Sequence, residues 1–454
     1  MAPDDLSRRD RLLVAFLSFL NNRSVDYCVL SPIRASNPDH DLDVDMSVSP
    51  EAFRAVPRLV REFAEAHDLL LLFDIRSGIR SRACTLVLRG SAARVVLKLD
   101  FMMGYGSLAL GEVFRHEDLA HGKVFDGACW RLSEQSELAY LAARHVIKGD
   151  NRRYRQERVA ELWQRVDHYA FAKDRPAVIR DAVELVASDP APGDARLLTM
   201  RAALRDHGRR RMGWADRLAA PAAEAARRLH RTLRPVGLSV AFLGPDGSGK
   251  STLIQALRER LDPVFHGVSV LYWRPRLLPT PGRLKVWNPT AEKTENPDPH
   301  GVVPHGKAVS VARMAYFGLD YVLGYPAVVV PKKVRKHLVI FDRFLHDVRV
   351  DPRRYRMNLP AGALALLERI APKPDLIFVL QGTPEVLRQR KQELSLPEIA
   401  RQLGELGELA KAGPPFVPID VDRDIGTIVD DLVDHILAAR AEGAQGTLGG
   451  ANHV

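Results

Sequence analysis

The chain of 454 residues contains only three cysteines, Cys28, Cys84 and Cys129, and they are far apart. Their spacing fits no zinc site, and so few cysteines exclude a disulfide framework. The early apolar stretch at residues 12–20 is too short to cross a bilayer, and the acidic residues before it do not fit a secretion signal. These absences predict a cytoplasmic protein of ordinary globular composition.

The net charge of the chain indicates which kind of binding partner it favours. Lysine and arginine number 66 against 56 aspartate and glutamate residues, which gives a net charge of +10 at pH 7. Such a balance favours acidic partners, namely nucleotides, nucleic acid or anionic lipid, without choosing among them.

The most specific motif is a glycine-rich loop between an apolar run, residues 238–243, and a helical pattern. The loop reads Gly244, Pro245, Asp246, Gly247, Ser248, Gly249, Lys250, Ser251 and Thr252. A strand that delivers such a loop to a helix N-terminus points backbone N–H groups at the phosphates of a nucleotide. The motif therefore predicts an ATP site, in which Lys250 neutralises the β- and γ-phosphates and Ser251 holds Mg²⁺.

Two more motifs follow predicted strands. Asp342 and Arg343 come directly after residues 338–341, at the strand end where open α/β sheets bind ligands. There Asp342 can order the Mg²⁺ shell and Arg343 can contact an anionic phosphoryl group. The strand at residues 376–380 leads to a helix that ends in the cations Arg388, Arg390 and Lys391. These cations can stabilise charge on a transferred phosphoryl group, or they form a solvated basic helix end.

In this order the three motifs resemble the thymidylate kinase-like group of P-loop kinases, over residues 238–437. The resemblance implies an α/β fold with a parallel sheet, and ATP and Mg²⁺ as cofactors. It implies catalytic roles for Lys250, Asp342, Arg343, Arg388 and Arg390. It assigns cofactor binding to Gly244, Asp246, Gly247, Ser248, Gly249, Lys250, Ser251, Thr252 and Lys391. The metal ligands are then Ser251 and Asp342, and the acceptor side has Asp246, Arg274 and Arg343.

The acceptor half departs from that family. After the strand at residues 268–273, the sequence around Arg274 does not read Thr-Arg-Glu-Pro, as true thymidylate kinases typically do. Asp320 and Tyr321 stand where Asp-Arg is expected, and Arg313 is a substitute from another register. We therefore expect the acceptor to be another nucleotide, a sugar phosphate or a polymer end rather than dTMP specifically.

Residues 1–150 predict a separate α+β domain. Asp41 and Asp43 lie on one face of an alternating strand, and Asp100 ends a later strand. The segment resembles the nucleotidyltransferase fold, in which such carboxylates hold Mg²⁺ around a triphosphate. The resemblance implies Asp41, Asp43 and Asp100 as metal ligands. Active members usually carry Gly-Gly or Gly-Ser just after the first strand, where this chain has Ser31 and Pro32. Pro32 lacks an N–H group, so a degenerate substrate-holding domain is favoured.

The rest of the chain divides by its patterns. Residues 151–235 predict a basic helical connector, whose arginines fit a nucleic-acid contact or, as we favour, a solvated face. Residues 236–440 alternate strand and helix and predict the P-loop domain, with an irregular insertion at residues 280–306. Residues 441–454 predict a disordered tail.

Three functions fit these motifs. The first is ATP-dependent phosphoryl transfer to a nucleoside monophosphate or a related phosphorylated small molecule. The second, less favoured, is a nucleic-acid end-processing enzyme that grips a polymer with the basic helices. The third is a non-catalytic ATP-sensing module. The oligomeric state is left open by the sequence.

Overall fold

The computed structural model describes residues 7–30, 43–107, 109–149, 153–191, 193–279 and 305–449. The chain divides into two compact units. The amino-terminal unit comprises Met1–Ser91 and Val95–Arg228, and the carboxyl-terminal unit comprises Ala92–Arg94 and Leu229–Val454.

The amino-terminal unit is an α+β structure. Its strands are β1 (Tyr27–Val29), β2 (Asp43–Val48), β3 (Leu69–Gly78), β4 (Ser81–Leu88), β5 (Val96–Met102), β6 (Tyr105–Ser107), β7 (Gly111–Phe114), β8 (Val124–Phe125) and β9 (Trp130–Arg131). Its helices are α1 (Arg8–Asn22), α2 (Pro50–Ala66), α3 (His116–Ala120), α4 (Glu134–Lys148), α5 (Arg153–Arg165), α6 (His168–Asp174), α7 (Ala177–Ala187), α8 (Ala195–Arg211) and α9 (Trp214–Leu233), the last of which continues into the second unit.

Seven strands of this unit form one mixed sheet in the order β3-β4-β5-β2-β1-β9-β8. In the parallel pair of β2 and β5, Asp43 lies opposite Lys98 and Asp45 lies opposite Asp100. Strand β3 runs as far as Gly78, because it pairs with β4 as a long hairpin.

The predicted connector is helical, but much of it belongs to the core of the amino-terminal unit. Val159 and Leu162 of α5, Ile179 of α7 and Leu204 of α8 are buried in one apolar cluster with Tyr140 of α4. Residues 153–211 therefore help to complete this unit, because their apolar faces need α4 as a partner.

The carboxyl-terminal unit has a five-stranded parallel sheet. Its strands are β10 (Leu238–Leu243), β11 (Val268–Tyr272), β12 (Leu338–Asp342), β13 (Leu376–Gln381) and β14 (Phe416–Asp420). Its helices are α10 (Lys250–Leu261), α11 (Lys307–Gly324), which a π-helical turn (Tyr325–Val329) joins to α12 (Val330–Val334), then α13 (Asp347–Val350), α14 (Ala361–Ile370), α15 (Pro384–Arg390), α16 (Leu396–Lys411) and α17 (Ile425–Gly449).

The strand order is β11-β12-β10-β13-β14, and every pairing is parallel. Strand β10 is central and buried along its whole length, as expected for a strand covered on both faces. Ala241 and Leu243 point into one apolar cluster, whereas Phe242 packs on Phe378, which contacts His435 of α17. The predicted parallel sheet is confirmed.

The predicted disordered tail is helical at its start, and most of the predicted insertion is outside the described residues. Helix α17 continues to Gly449, past the predicted start of a disordered tail, because Ala441 and Ala444 remain buried. Residues 450–454 are outside the described residues, as is the predicted insertion apart from His305 and Gly306. None of the helices in the described part of the chain is long and apolar enough to span a bilayer.

Candidate functional site

The glycine-rich loop joins β10 to α10 at the carboxyl edge of the parallel sheet. Gly247 and Gly249 have φ angles of +87° and +81°, which favour glycine. A Cβ atom on Gly247 would lie 2.4 Å from the carbonyl oxygen of Leu387 in α15. Gly247 therefore lets the loop lie directly against α15, and Gly249 caps the start of α10.

Lys250, the first residue of α10, folds back into the loop. Its Nζ donates to the carbonyl oxygens of Gly244 and Pro245, both at 2.8 Å, and to Ser248 Oγ at 3.4 Å. Burial, followed by the charge of Arg343, lowers the pKa of Lys250 to about 7. The loop thus surrounds a buried amine that an anion inside the loop would stabilise in its charged form.

Asp246 is held between two arginines. Arg343 Nη2 donates to Asp246 Oδ1 at 2.6 Å, and Arg354 donates to the other carboxylate oxygen. Burial opposes the ionisation of Asp246, but the nearby cations outweigh it and hold the pKa of this carboxyl below its usual range. The acidic residue of the loop is therefore charged and fixed in orientation.

Arg343 is itself buried and doubly bound. Its Nη1 donates to Asp347 Oδ2 at 2.8 Å, and Tyr355 Oη donates to the same oxygen at 2.7 Å. Arg354 also pairs with Asp351, at 3.1 Å. Sequence reasoning missed Arg354. The basic run from Arg353 to Arg356, close after Asp342 and Arg343, was the signal that could have found it.

The residues at the predicted metal site fit Mg²⁺. Asp342 Oδ1 is buried without a hydrogen-bond partner among the described residues, and Ser251 is exposed at the first turn of α10. Within the described ranges no three His, Cys, Asp or Glu side chains cluster as a metal site. A nucleotide-bound Mg²⁺ needs only one or two protein ligands, because phosphates and water supply the others. Asp342 and Ser251 meet that need.

The predicted lid cations Arg388, Arg390 and Lys391 have different surroundings. Arg390 Nη1 donates to the carbonyl oxygen of Val421 at 3.1 Å, and Arg388 is exposed. Lys391 lies beside the loop: its Cβ would lie 3.4 Å from a Cβ on Gly247, and its charge helps to lower the pKa of Asp246. Residues two apart on a helix point in different directions, which explains the separation.

Arg274, predicted on the acceptor side, is buried in an ion pair. Its Nη1 lies 2.7 Å from Asp320 Oδ2, and neither side chain is more than slightly exposed. The Asp320 carboxylate also accepts hydrogen bonds from the backbone N–H groups of Arg276 and Leu278. Next to this pair, Tyr321 Oη donates to the carbonyl oxygen of Trp273. The positive charge of Arg274 is therefore neutralised within the protein by Asp320.

In the amino-terminal unit, Asp43 and Asp100 lie on adjacent strands, and Asp41 is outside the described residues. Asp43 lies 3.8 Å from Lys98 Nζ. Asp45, the register partner of Asp100, accepts a hydrogen bond from Arg144 at 3.0 Å. Cations therefore stand next to this row of carboxylates.

The chain matches no protein-family profile. The thymidylate kinase of Exiguobacterium sp. (strain ATCC BAA-1283 / AT1b) is 27% identical over 220 residues, which cover 46% of this chain and 97% of that protein. About half of the chain is similar to a thymidylate kinase. That of Malacoplasma penetrans (strain HF-2) is 29% identical over 159 residues, or 34% of this chain and 67% of that protein.

Among solved structures, the thymidylate kinase from Ehrlichia chaffeensis matches with 17% identity and a TM-score of 0.31, over 44% of this chain and 98% of its own. The two sequence relatives support a nucleotide kinase-like domain. No comparison supports the predicted nucleotidyltransferase fold or an activity for residues 1–150.

Proposed function

We propose that the carboxyl-terminal unit catalyses ATP-dependent phosphoryl transfer to a nucleoside monophosphate or a related phosphorylated small molecule. The observation that carries this proposal is Lys250, buried inside the glycine-rich loop at the carboxyl edge of a parallel sheet. The similarity to thymidylate kinases supports the class of reaction.

In this proposal the loop and Lys250 bind the phosphates of ATP, and Lys391, which directly follows α15, adds a cation. Ser251 and Asp342 would hold Mg²⁺, which neutralises charge on the phosphates when bound. Lys250 leaves the carbonyl oxygens of Gly244 and Pro245 to reach the phosphate oxygens. The phosphates thereby give Lys250 anionic partners in place of the neutral oxygens that it contacts in the loop.

On the acceptor side, the proposal assigns Asp246 to orientation. Because Arg343 and Arg354 hold it ionised, its carboxylate can accept a hydrogen bond from an acceptor hydroxyl but is a poor base. An acceptor phosphate oxygen is already anionic at neutral pH, so this transfer needs no general base. Positioning and charge neutralisation then account for catalysis.

The test is a transfer screen with γ-labelled ATP and Mg²⁺ across nucleoside monophosphates, sugar phosphates and oligonucleotide ends. Lys250→Ala should reduce transfer to the preferred acceptor by about 10³-fold, because it removes a preorganised cation from the transferred group. Lys411→Ala is the matched control, since Lys411 is exposed and pairs with Glu408 at 2.7 Å.

Undiminished transfer by Lys250→Ala would overturn the donor site. ATP binding without transfer to any acceptor would instead favour the ATP-sensing module. Preferential transfer to oligonucleotide ends, with steeply salt-dependent binding, would favour nucleic-acid processing.

For the amino-terminal unit we propose a nucleotidyltransferase-like domain that holds a substrate without metal-dependent catalysis. The ion pair of Lys98 with Asp43 supports this, because one predicted metal ligand already has a cationic neighbour. Arg144 brings a further cation beside Asp100 through its hydrogen bond to Asp45, the register partner of Asp100.

A further inference from the structure

Three basic side chains meet at the start of α11. Arg313 Nη1 donates to His305 Nε2 at 3.2 Å, and the backbone N–H of His305 donates to the carbonyl oxygen of Arg356 at 3.1 Å. The Nε atoms of Arg313 and Arg356 are both buried and have no hydrogen-bond partner among the described residues. We call His305, Arg313 and Arg356 the basic cluster.

No carboxylate compensates the basic cluster within the described part of the chain. Burial, followed by the charge of Arg356, lowers the pKa of Arg313. Burial, followed by both arginines, lowers the pKa of His305. Arg274 differs, because Asp320 neutralises it at 2.7 Å. The cluster is thus a partly buried basic site with no carboxylate partner among the described residues, and a bound anion would supply its counter-charge.

One short turn carries both Arg354, which contacts the glycine-rich loop, and Arg356 of the basic cluster. Arg354 binds Asp246 of the loop, and Arg356 is only two residues further on, so their Cα atoms are at most about 7 Å apart. The backbone N–H of Asn358 then donates to Ser310 Oγ of α11 at 3.0 Å. The same turn therefore positions the cluster relative to the loop and to α11.

Buried aromatic rings pack beside Arg313 and Arg274. The Arg313 guanidinium lies 5.7 Å from the ring centroid of Phe317, and that of Arg274 lies 5.3 Å from the same ring. Trp273 contacts Phe317 and stacks on Tyr355, with ring centroids 4.7 Å and 4.4 Å apart. The basic cluster therefore lies next to buried apolar side chains, where the attraction between charges is less screened by water than at an exposed surface.

We propose that the basic cluster, rather than Arg274, binds a phosphate group of the phosphoryl acceptor. A guanidinium presents Nε and Nη donors in a planar fork that matches two oxygens of a phosphate, and neither Nε donor here has an acceptor among the described residues. This inference rests on the proposed function, since it places the cluster in the acceptor site.

The first experiment measures inorganic phosphate binding to the full chain by calorimetry, in the Lys250→Ala background so that the nucleotide loop contributes little. Adding Arg313→Gln should weaken binding by about tenfold or more, because one charged hydrogen-bond donor is lost. Arg356→Asn should act alike, since asparagine tolerates the φ of +53° at this position.

Arg353→Gln is the matched control. It removes an equal charge from the same turn, but Arg353 is exposed and its charge acts on Glu398. Arg313→Lys should recover part of the affinity. Thermal unfolding of each variant checks that the fold is kept. The inference is overturned if the parent does not bind phosphate, or if Arg313→Gln and Arg356→Asn bind it as well as the control does.

A second measurement separates this inference from the proposed function. With the acceptor found in the transfer screen, Arg313→Gln should raise the KM for the acceptor by about tenfold and leave the KM for ATP unchanged. If the KM for ATP rises instead, the cluster does not belong to the acceptor site. If no acceptor is found, the proposed function fails while the phosphate-binding result still decides the assignment of the cluster.

Discussion

At the scale of the residue, the counter-charge of each cation decides what it can do. Arg274 and Arg343 are both buried, and each has a carboxylate at 2.8 Å or less. Lys250 has only neutral oxygens as hydrogen-bond partners, so its charge is the one that an incoming phosphate can best stabilise. Residue type alone does not distinguish these cases, because arginine and lysine are equally cationic in the sequence.

His346 gives a residue-scale prediction about pH. It is buried against Phe344 and Phe416, and burial, followed by the charges of Lys373 and Arg349, lowers its pKa to about 4. The unfolded imidazole has a pKa of about 6.5, so the unfolded chain binds more protons below that pH and stability falls as the pH drops towards 4.

His346→Leu should remove this loss. The free energy of unfolding of His346→Leu minus that of wild type should be about 2 kcal/mol larger at about pH 4.5 than at about pH 7.5. Urea unfolding of both proteins at each pH measures the difference. An equal difference at the two pH values would contradict the burial of a neutral imidazole.

At the scale of the element, the glycine-rich loop depends on how closely it approaches α15. Gly247 combines a positive φ with a carbonyl oxygen where a Cβ would lie, whereas Gly249 has a similar φ and no atom within 4 Å of its Cβ position. Comparing alanine substitutions at these two positions therefore distinguishes the cost of backbone strain from the cost of steric contact.

Gly247→Ala should lower stability by about 2 kcal/mol and weaken ATP binding by at least roughly tenfold, because the loop has to move away from α15. Gly249→Ala should cost only about 1 kcal/mol, which is the strain of the φ angle. Thermal unfolding and calorimetry with ATP measure both effects. Equal losses of stability would show that contact with Leu387 does not constrain the loop.

At the scale of the whole molecule, the chain has two compact units with separate sheets. The glycine-rich loop and the basic cluster belong to the carboxyl-terminal unit, and the acidic strand β2 belongs to the amino-terminal unit. This division predicts that the two sets of polar residues can be changed independently.

Asp43→Ala should leave ATP-dependent transfer within about twofold of wild type, since Asp43 is exposed and its ion pair with Lys98 is a weak surface contact. The labelled-ATP assay compares this variant with wild type under identical conditions. A large loss of transfer would mean that Asp43 takes part in the kinase reaction.

Much of the carboxyl-terminal unit could be predicted from the sequence. A strand buried on both faces reads as an apolar run, so the predicted bounds of β10, residues 238–243, agree with the structure. The short strands β6 to β9 were missed, because two to four residues cannot establish an alternating pattern.

The sequence by itself determined the glycine-rich loop, because its glycines, its lysine and its flanking strand and helix are adjacent in the chain. Only the tertiary structure decided which arginines are neutralised and which are not. Asp320 reaches Arg274 across 46 residues, and Arg354 reaches Asp246 across 108. Electrostatic pairing acts over a few ångströms in space, and spacing along the chain carries no record of it.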